Sequence, residues 1–143
     1  MPTLDELGWL AGIVDGEGTI GLYRQHKGVN YRFAVTLIIP STDPAIILKA
    51  RRILWEIVED DTVRVMNVKA RLAHHKPQWR INVTTRLGLY KVLDAILPYL
   101  SGKAPKAELV KQWCQQRLLA PRGRKNKLTD KDIALAEQFD RIR

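Results

Sequence analysis

The sequence is short of cysteine, of long apolar runs and, over two stretches, of acidic residues. Its single cysteine, Cys114, excludes an internal disulfide and a zinc site built from several cysteines. No apolar run approaches the roughly 18 residues that a membrane span requires. The N-terminus also lacks the basic and apolar segments of a signal peptide. Neither an internal repeat nor a low-complexity tract is visible. These absences favour an intracellular protein with no membrane partner.

Acidic residues are missing from residues 18–42 and again from residues 62–93. The whole chain has 24 Lys and Arg against 15 Asp and Glu, a net charge of +9 at pH 7. The basic residues of the two acid-free windows are Arg24, Lys27, Arg32, Arg64, Lys69, Arg71, Lys76, Arg80, Arg86 and Lys91. An ordinary solvated surface mixes both signs of charge, so this sorting favours a polyanionic partner over a merely solvated face.

A chain of 143 residues with 45% hydrophobic residues is expected to form one domain. The segment "TLDE" at residues 3–6 has the spacing of a capping box and predicts a helix to about residue 16. Period-two alternation then predicts a β-hairpin, and Asp43 followed by Pro44 predicts a second helix. A second hairpin ends with "QWRINVTT". Further helices are expected at about 86–97, 103–118 and 129–142, the last one capped by Thr129.

The predicted order is therefore α-β-β-α-β-β-α, followed by two C-terminal helices. This order favours an α+β fold in which helices cover one face of a four-stranded antiparallel sheet. The other face would be rich in Arg, Asn, Gln, Thr and Tyr and free of acid. The core would occupy about residues 3–118, with a basic loop and helix at about 119–143.

The stretch "LGWLAGIVDGEGTIGL" at residues 7–22 has glycine at every fourth position, Gly8, Gly12 and Gly16. Each glycine inside a helix costs about 1 kcal/mol relative to alanine. Small residues at this spacing form a smooth stripe against which a second helix can pack closely. The second helix would belong either to a symmetry-related copy, giving a homodimer, or to the same chain.

Two carboxylates, Asp15 and Glu17, fall near the C-terminus of this predicted helix, where the helix dipole disfavours negative charge. Carboxylate and backbone carbonyl oxygens are ligands that suit Mg²⁺, and paired metal-bound carboxylates serve phosphodiester hydrolysis. The alternative is that Asp15 caps a partner helix while Glu17 is solvated in a turn.

The segment "LAGIVDGEG" at residues 10–18 resembles the signature of the LAGLIDADG homing endonucleases. Ile13, Val14, Gly16 and Glu17 stand where the consensus has Leu, Ile, Ala and Asp. The order of elements up to about residue 118 is also similar to that family's core. One copy of the motif in a chain of this length is similar to the homodimeric branch of the family.

The resemblance implies roles for individual residues. Glu17 would bind divalent metal together with the Gly16 carbonyl, while Asp15 would be structural and bond across the paired helices. The helix contact between two copies would use Gly8, Ala11, Gly12, Asp15 and Gly16. Ser41 would order water near the scissile phosphate. Lys103, with Lys106 as the fallback, would lie near the attacking water or the phosphate. The arginine common early in the family's second helix is absent, since Ala45 and Ile46 occur there.

The polar face of the sheet would lie in the major groove and contact base edges. The candidates for these contacts are Tyr23, Gln25, Arg32, Thr36, Arg64, Met66, Arg80 and Asn82. The residues expected to contact phosphates are Lys69, Lys76, Arg122, Arg124, Lys125 and Lys127. We interpret His74 and His75 as loop residues rather than metal ligands, and Trp9, Trp55 and Trp113 as core.

The resemblance therefore implies a site-specific DNA endonuclease that acts as a homodimer on double-stranded DNA. Its cofactor would be Mg²⁺, with Mn²⁺ as a substitute, and its target long and pseudo-palindromic. Two alternatives remain: an RNA maturase that assists intron splicing, and a non-catalytic DNA-binding regulator on the same scaffold.

Overall fold

The computed structural model of the chain describes residues 1–27, 30–68, 76–120 and 128–142. The predicted α+β fold and order of elements are confirmed in these residues. A 3₁₀ turn, Leu97–Tyr99, joins the third and fourth helices. The elements are α1 (Leu4–Glu17), β1 (Thr19–Lys27), β2 (Asn30–Ser41), α2 (Pro44–Val58), β3 (Arg64–Val68), β4 (Gln78–Val83), α3 (Arg86–Ile96), α4 (Ala104–Leu119) and α5 (Asp130–Arg141).

Several helices begin at the cap residues that the sequence predicts. The Thr3 hydroxyl accepts from the Glu6 amide at 3.2 Å, and the Glu6 carboxylate accepts from the Thr3 amide at 3.1 Å. Asp43 caps α2 by accepting from the Ala45 amide at 2.9 Å, and Thr129 caps α5. These side chains satisfy amides that have no partner inside the helix, and they thereby fix where each helix starts.

The four strands form one antiparallel sheet in the order β1-β2-β4-β3. Leu22 lies opposite Val35, and Ile39 lies opposite Ile81. Because successive side chains point to opposite faces, this register collects the apolar side chains of three strands on one face. That face carries the buried residues Ile20, Leu22, Phe33, Val35, Leu37, Ile39, Ile81 and Val83.

The helices cover this apolar face and complete the core. Leu10 and Val14 of α1 and Trp113 of α4 are fully buried. Burying a side chain of this kind stabilises the fold by about 1.5–3 kcal/mol. The prediction that Trp55 belongs to the core is wrong, because this side chain lies on the outer surface of α2 with 52% of its area exposed. None of the helices in the described ranges is long and apolar enough to cross a membrane.

The C-terminal helix α5 is attached to α4 by a buried ion pair. Arg117 donates to the Asp132 carboxylate at 3.0 Å, and both side chains are less than 5% exposed. The same carboxylate accepts from the Thr129 amide at 2.9 Å, so the ion pair also completes the capping of α5. Leu135 and Ala136 extend the core beneath this contact.

Candidate functional site

The glycine that ends α1 brings Glu17 to the edge of the sheet. The Gly18 amide donates to the carbonyls of Ile13 and Val14 at 3.2 and 3.0 Å. A Cβ at Gly18 would lie 2.9 Å from the Val14 Cα and carbonyl oxygen, so only glycine fits at this close approach. The chain then enters β1 at Thr19 without a loop. Glu17 is consequently fixed beside the start of the first strand.

The Asp15 carboxylate is bound by backbone amides of its own chain. It accepts from Ser101 at 2.7 Å and from Lys103 at 3.0 Å, where the chain enters α4. A carboxylate near the first turn of α4 is favoured by that helix's dipole. Both oxygens therefore accept a hydrogen bond within the chain, and the bond across a helix pair stays a prediction.

Lys103 supplies the cation that the C-terminus of α1 needs. Its Nζ donates to the Asp15 carbonyl oxygen at 2.6 Å, two residues before Glu17. Carbonyls of the last turn have no amide partner within the helix, and a cation there is favoured by the helix dipole. Lys106, the fallback, instead lies over the Phe139 ring with its Nζ 5.5 Å from the centroid. Of the two lysines, Lys103 is the one placed beside the signature segment.

The Glu17 side chain is exposed, and it has no hydrogen bond or ion pair with any other residue that the structure describes. It lines a cavity of about 230 Å³ together with Ser41, Thr42 and Gln78. The structure thus brings two of the three predicted catalytic residues, Glu17 and Ser41, to one cavity. The third, Lys103, is attached to the same end of α1.

The polar lining of this cavity differs from the prediction in one respect. The Ser41 hydroxyl accepts from the Asp43 amide at 3.0 Å, so it also stabilises the turn before α2. Gln78, the first residue of β4, lines the same cavity with a longer amide side chain, and sequence reasoning missed it. Only the pairing of β2 with β4, which places Ser41 opposite Trp79, brings Gln78 there.

The sheet register places all eight predicted base-contacting residues on the same face, opposite the helices. Gln25 lies opposite Arg32, Arg64 opposite Asn82, and Met66 opposite Arg80. No acidic residue occurs at the described positions of this face.

Exposure on this face varies from one residue to the next. Tyr23 and Met66 are 46% and 43% exposed, whereas Thr36 is buried at 8%. The Arg32 Nε donates to the Gln25 amide oxygen at 3.2 Å. The Asn82 Oδ1 is buried, and no described group donates a hydrogen bond to it.

Several predicted residues lie outside the described residues. They are Lys69, His74, His75, Arg122, Arg124, Lys125 and Lys127. Lys76 is described and exposed.

The glycine stripe of α1 is open in the single chain. No described atom beyond the local backbone lies within 4 Å of a Cβ built on Gly8, Gly12 or Gly16, so packing inside the chain does not require glycine there. Ala11 is fully buried in the core, so it has no surface to offer to a second copy and its predicted interface role is wrong.

Within the described parts of the chain, no three His, Cys, Asp or Glu side chains come together in a way that would hold a metal ion. One chain offers the exposed Glu17 carboxylate and the last carbonyls of α1.

The outer surface of α2 carries no counterpart of the family's early arginine near the cavity. Arg52 pairs with Glu6 of α1 and, at 3.1 Å, with Glu56 of its own helix. The hydrogen bond to Glu6 is the largest influence that lowers the pKa of that carboxyl. Arg52 thus connects the two helices away from Glu17.

The architecture and the site together define the class: the chain has the LAGLIDADG homing-endonuclease fold with a single copy of the motif. The resemblance found in residues 10–18 is confirmed at the level of the fold. A scan of protein-family models finds no match, and a search of curated proteins finds none either.

Three solved structures illustrate the similarity. The homing endonuclease I-CvuI, in complex with its target, superposes with a TM-score of 0.68 and 23% identity, over 96% of this chain and 82% of its own. The group I intron-encoded I-CeuI, complexed with DNA, has a TM-score of 0.66 and 13% identity, over 97% of this chain and 68% of its own. The archaeal intron-encoded I-Vdi141I, also complexed with DNA, has a TM-score of 0.62 and 11% identity, over 95% of this chain and 97% of its own.

Proposed function

We propose that this chain is a site-specific homing endonuclease that cuts both strands of a long, pseudo-palindromic DNA target as a homodimer. The observation that carries the proposal is the exposed Glu17 carboxylate, which no other described residue engages, at the same end of α1 to which Lys103 is bonded and at the edge of an acid-free sheet face. The similar structures of I-CeuI and I-Vdi141I, each solved with DNA, support DNA as the substrate.

The donor atoms at the end of α1 fit a hard divalent cation. The Glu17 carboxylate is free of competing partners among the described residues, and the Gly16 carbonyl belongs to the last turn of the helix. Oxygen donors of this kind suit Mg²⁺, and Mn²⁺ would substitute. I-CvuI was crystallised in the presence of Ca and of Mg, which supports use of a divalent metal. Bound metal would supply charge stabilisation and a water of lowered pKa.

Lys103 and the polar residues that line the Glu17 cavity have distinct roles in this proposal. The Lys103 ammonium, anchored on the Asp15 carbonyl, offsets negative charge on the scissile phosphate. Ser41 and Gln78, which line the same cavity, would order water near the scissile phosphate. Gln78 carries most of this task, because the Ser41 hydroxyl is short and already bonded to the Asp43 amide.

The sheet face supplies sequence recognition. Its strands would lie in the major groove, where Arg64 and Arg80 have the fork geometry for bidentate contacts to guanine. Lys76 and the basic residues outside the described ranges would contact phosphates. The net charge of +9 per chain should make binding fall steeply with salt. Two copies related through the open glycine stripe would present two such faces to two half-sites.

The test starts from a random duplex library, because the target is unidentified. Duplexes retained by the protein in Ca²⁺ are sequenced, and the enriched site is then incubated with Mg²⁺. We expect a double-strand cut that Glu17→Gln reduces by more than about 100-fold while leaving binding in Ca²⁺ within about twofold. Glu137→Gln, the same charge change at an exposed position of α5, is the matched control.

The alternatives give different results in the same experiment. Enrichment of a duplex that is never cut would indicate a non-catalytic regulator. Failure to enrich any duplex, together with tight binding of structured RNA, would indicate a maturase. Cutting that persists in Glu17→Gln would disprove the metal assignment.

A further inference from the structure

A notch opens on the sheet at the point where β4 ends. β4 pairs with β2 only from Leu37 to Ser41, whereas β1 follows β2 as far as Asn30. From residue 30 to residue 36, β2 therefore has no strand on its β4 side within the described residues. The chain leaves the sheet after Val83 and begins α3. The resulting cavity has a volume of about 410 Å³.

The notch is lined by two arginines and by no acid. Arg32 comes from β2 and Arg86 from the first position of α3. Thr84, Tyr23 and Gln25 add polar groups around them. In the described part of the chain, the nearby acid Asp132 is buried in its ion pair with Arg117 at 3.0 Å.

Arg86 occupies a position that is unfavourable for a cation. It stands at the N-terminus of α3, where the helix dipole disfavours positive charge. Burial is the main cause that lowers the pKa of Arg86; the charges of Arg117 and Arg32 also lower it, whereas Cys114 and Asp132 raise it. An anion in the notch would offset both the unfavourable helix dipole and the repulsion from the two other arginines.

The Arg86 guanidinium is also held in place by rigid neighbours. Its Cζ lies 5.6 Å from the centroid of the Trp113 ring. Trp113 is fully buried and packs edge-on against Phe33, with ring centroids 6.2 Å apart and planes inclined by 73°. A guanidinium fixed in this way loses little conformational entropy when it binds a planar or tetrahedral anion.

The notch opens onto the sheet face that the proposed function assigns to DNA, while Phe33 and Val35 of its lining belong to the apolar face. Arg32 and Tyr23 belong to that face, so an anion seated between Arg32 and Arg86 would be part of a bound duplex. Gln25 lines the notch, and Thr19 begins β1 next to the end of α1 that carries Glu17. The two residues are six positions apart along β1, which is about 20 Å at the rise of a strand. That length corresponds to about six base pairs of B-form DNA.

We propose that Arg86, together with Arg32, binds one backbone phosphate of the target duplex, within about six base pairs of the bond cleaved beside Glu17. This site rests on the proposed function. Arg86 would thus anchor the outer part of each half-site without reading sequence, while Arg32 spans the phosphate and the neighbouring base.

The test measures DNA binding in Ca²⁺ as a function of salt, with the enriched duplex and with variants of its sequence. Removing one phosphate contact lowers the slope of log K against log salt by about 0.9, which corresponds to roughly a tenfold loss of affinity near 0.1 M salt. We expect Arg86→Gln to show this loss equally for every duplex, and Arg86→Lys to keep most of the slope. Arg51→Gln, which removes an exposed charge from α2 on the far side of the sheet, should change the slope little.

A second measurement locates the phosphate. A series of duplexes, each with one neutral methylphosphonate, is bound to the wild type and to Arg86→Gln. At one position per half-site, the methylphosphonate should lower the affinity of the wild type by about tenfold. It should not lower the affinity of Arg86→Gln further, because that variant already lacks the guanidinium that binds this phosphate.

The outcomes separate this proposal from the proposed function. An Arg86→Gln variant that loses affinity only for particular base pairs, or keeps the wild-type salt slope, would overturn the phosphate site while leaving the nuclease proposal intact. A wild type that enriches no duplex would overturn both. Circular dichroism melting of each variant identifies any loss of affinity that comes from unfolding. If Arg86→Gln is unfolded, the salt slope of Arg86→Lys is compared with that of the wild type instead.

Discussion

At the residue scale, Asp15 and Glu17 have opposite surroundings although they are two residues apart. Two positions on a helix differ by about 200° in direction, so the two side chains leave α1 on nearly opposite sides. Asp15 meets the start of α4 and binds two amides there. Glu17 faces the cavity beside Ser41 and Gln78 and stays exposed. Of the two acids of the signature, Asp15 is therefore held within the chain, whereas Glu17 remains accessible.

Cys114 gives a prediction at the same scale. Burial raises the pKa of its thiol to about 12, and the side chain is fully covered. We expect the native protein at pH 8 to react negligibly with a disulfide reagent such as DTNB, whereas the unfolded chain should release one equivalent rapidly. Absorbance at the reagent's product band measures this directly. Rapid, complete reaction of the native protein would contradict the placement of Cys114 in the core.

The raised pKa of the Cys114 thiol also predicts how the free energy of unfolding changes with pH. The pKa of this thiol is higher in the folded state than the ordinary value of 9.0. Its contribution to the free energy of unfolding is therefore fully present below pH 9 and is lost as the pH rises towards 12. Cys114→Ala should therefore show a smaller decline of unfolding free energy over this range than the wild type.

At the element scale, the end of α1 and the start of α4 depend on each other. The Asp15 carboxylate binds two amides at the entrance of α4, while the Lys103 ammonium binds a carbonyl at the exit of α1. Each helix end supplies the charge that the other's dipole favours. This reciprocal contact explains why an acid is tolerated in the last turn of α1.

We expect Asp15→Ala to lower the free energy of unfolding by about 1–3 kcal/mol, because two amides at the start of α4 lose their acceptor. Urea unfolding at a fixed protein concentration measures the change, and an unchanged denaturant slope would confirm that the fold is retained. Asp140→Ala, at an exposed position in the last turn of α5, is the control and should shift the midpoint little. Equal midpoints for the two variants would show that the Asp15 bonds contribute nothing to stability.

At the scale of the whole molecule, the open glycine stripe leads to a prediction about assembly. Gly12 has room for a side chain within its own chain, and replacing a helical glycine gains up to about 1 kcal/mol of helix propensity. Gly12→Leu should therefore fold at least as stably as the wild type while losing the proposed homodimer and the proposed double-strand cut. Light scattering over a range of concentrations measures the mass, and circular dichroism measures the fold.

Ala134→Leu provides the matched control, since it enlarges an exposed small residue on α5. It should leave both the mass and the cleavage unchanged. A wild type that remains monomeric at tens of micromolar, or a Gly12→Leu variant that dimerises as the wild type does, would contradict the role given to the stripe.

Local chemistry made much of the fold predictable. The capping box at Thr3, the Asp43–Pro44 start of α2 and the cap at Thr129 depend only on neighbours in sequence, and all three occur as predicted. The acid-free face was also predictable, because period-two alternation assigns each strand residue to a side before any pairing is known.

Contacts between distant segments were less predictable. Trp55 has the composition of a core residue, yet the helical phase of α2 places it outside. Ala11 belongs to the small-residue pattern of α1, yet it points into the core of its own chain.

The sequence by itself determined the order of elements, the sign of charge on the sheet face and the acid of the signature segment, because these follow from residue type and local period. Only the tertiary structure decided that Asp15 binds α4, that Gln78 joins Glu17 and Ser41 at one cavity, and that Arg86 and Arg32 line another where β4 ends. These contacts join residues up to 88 positions apart. Such contacts depend on strand order, register and the packing of helices on the sheet, which no local pattern encodes.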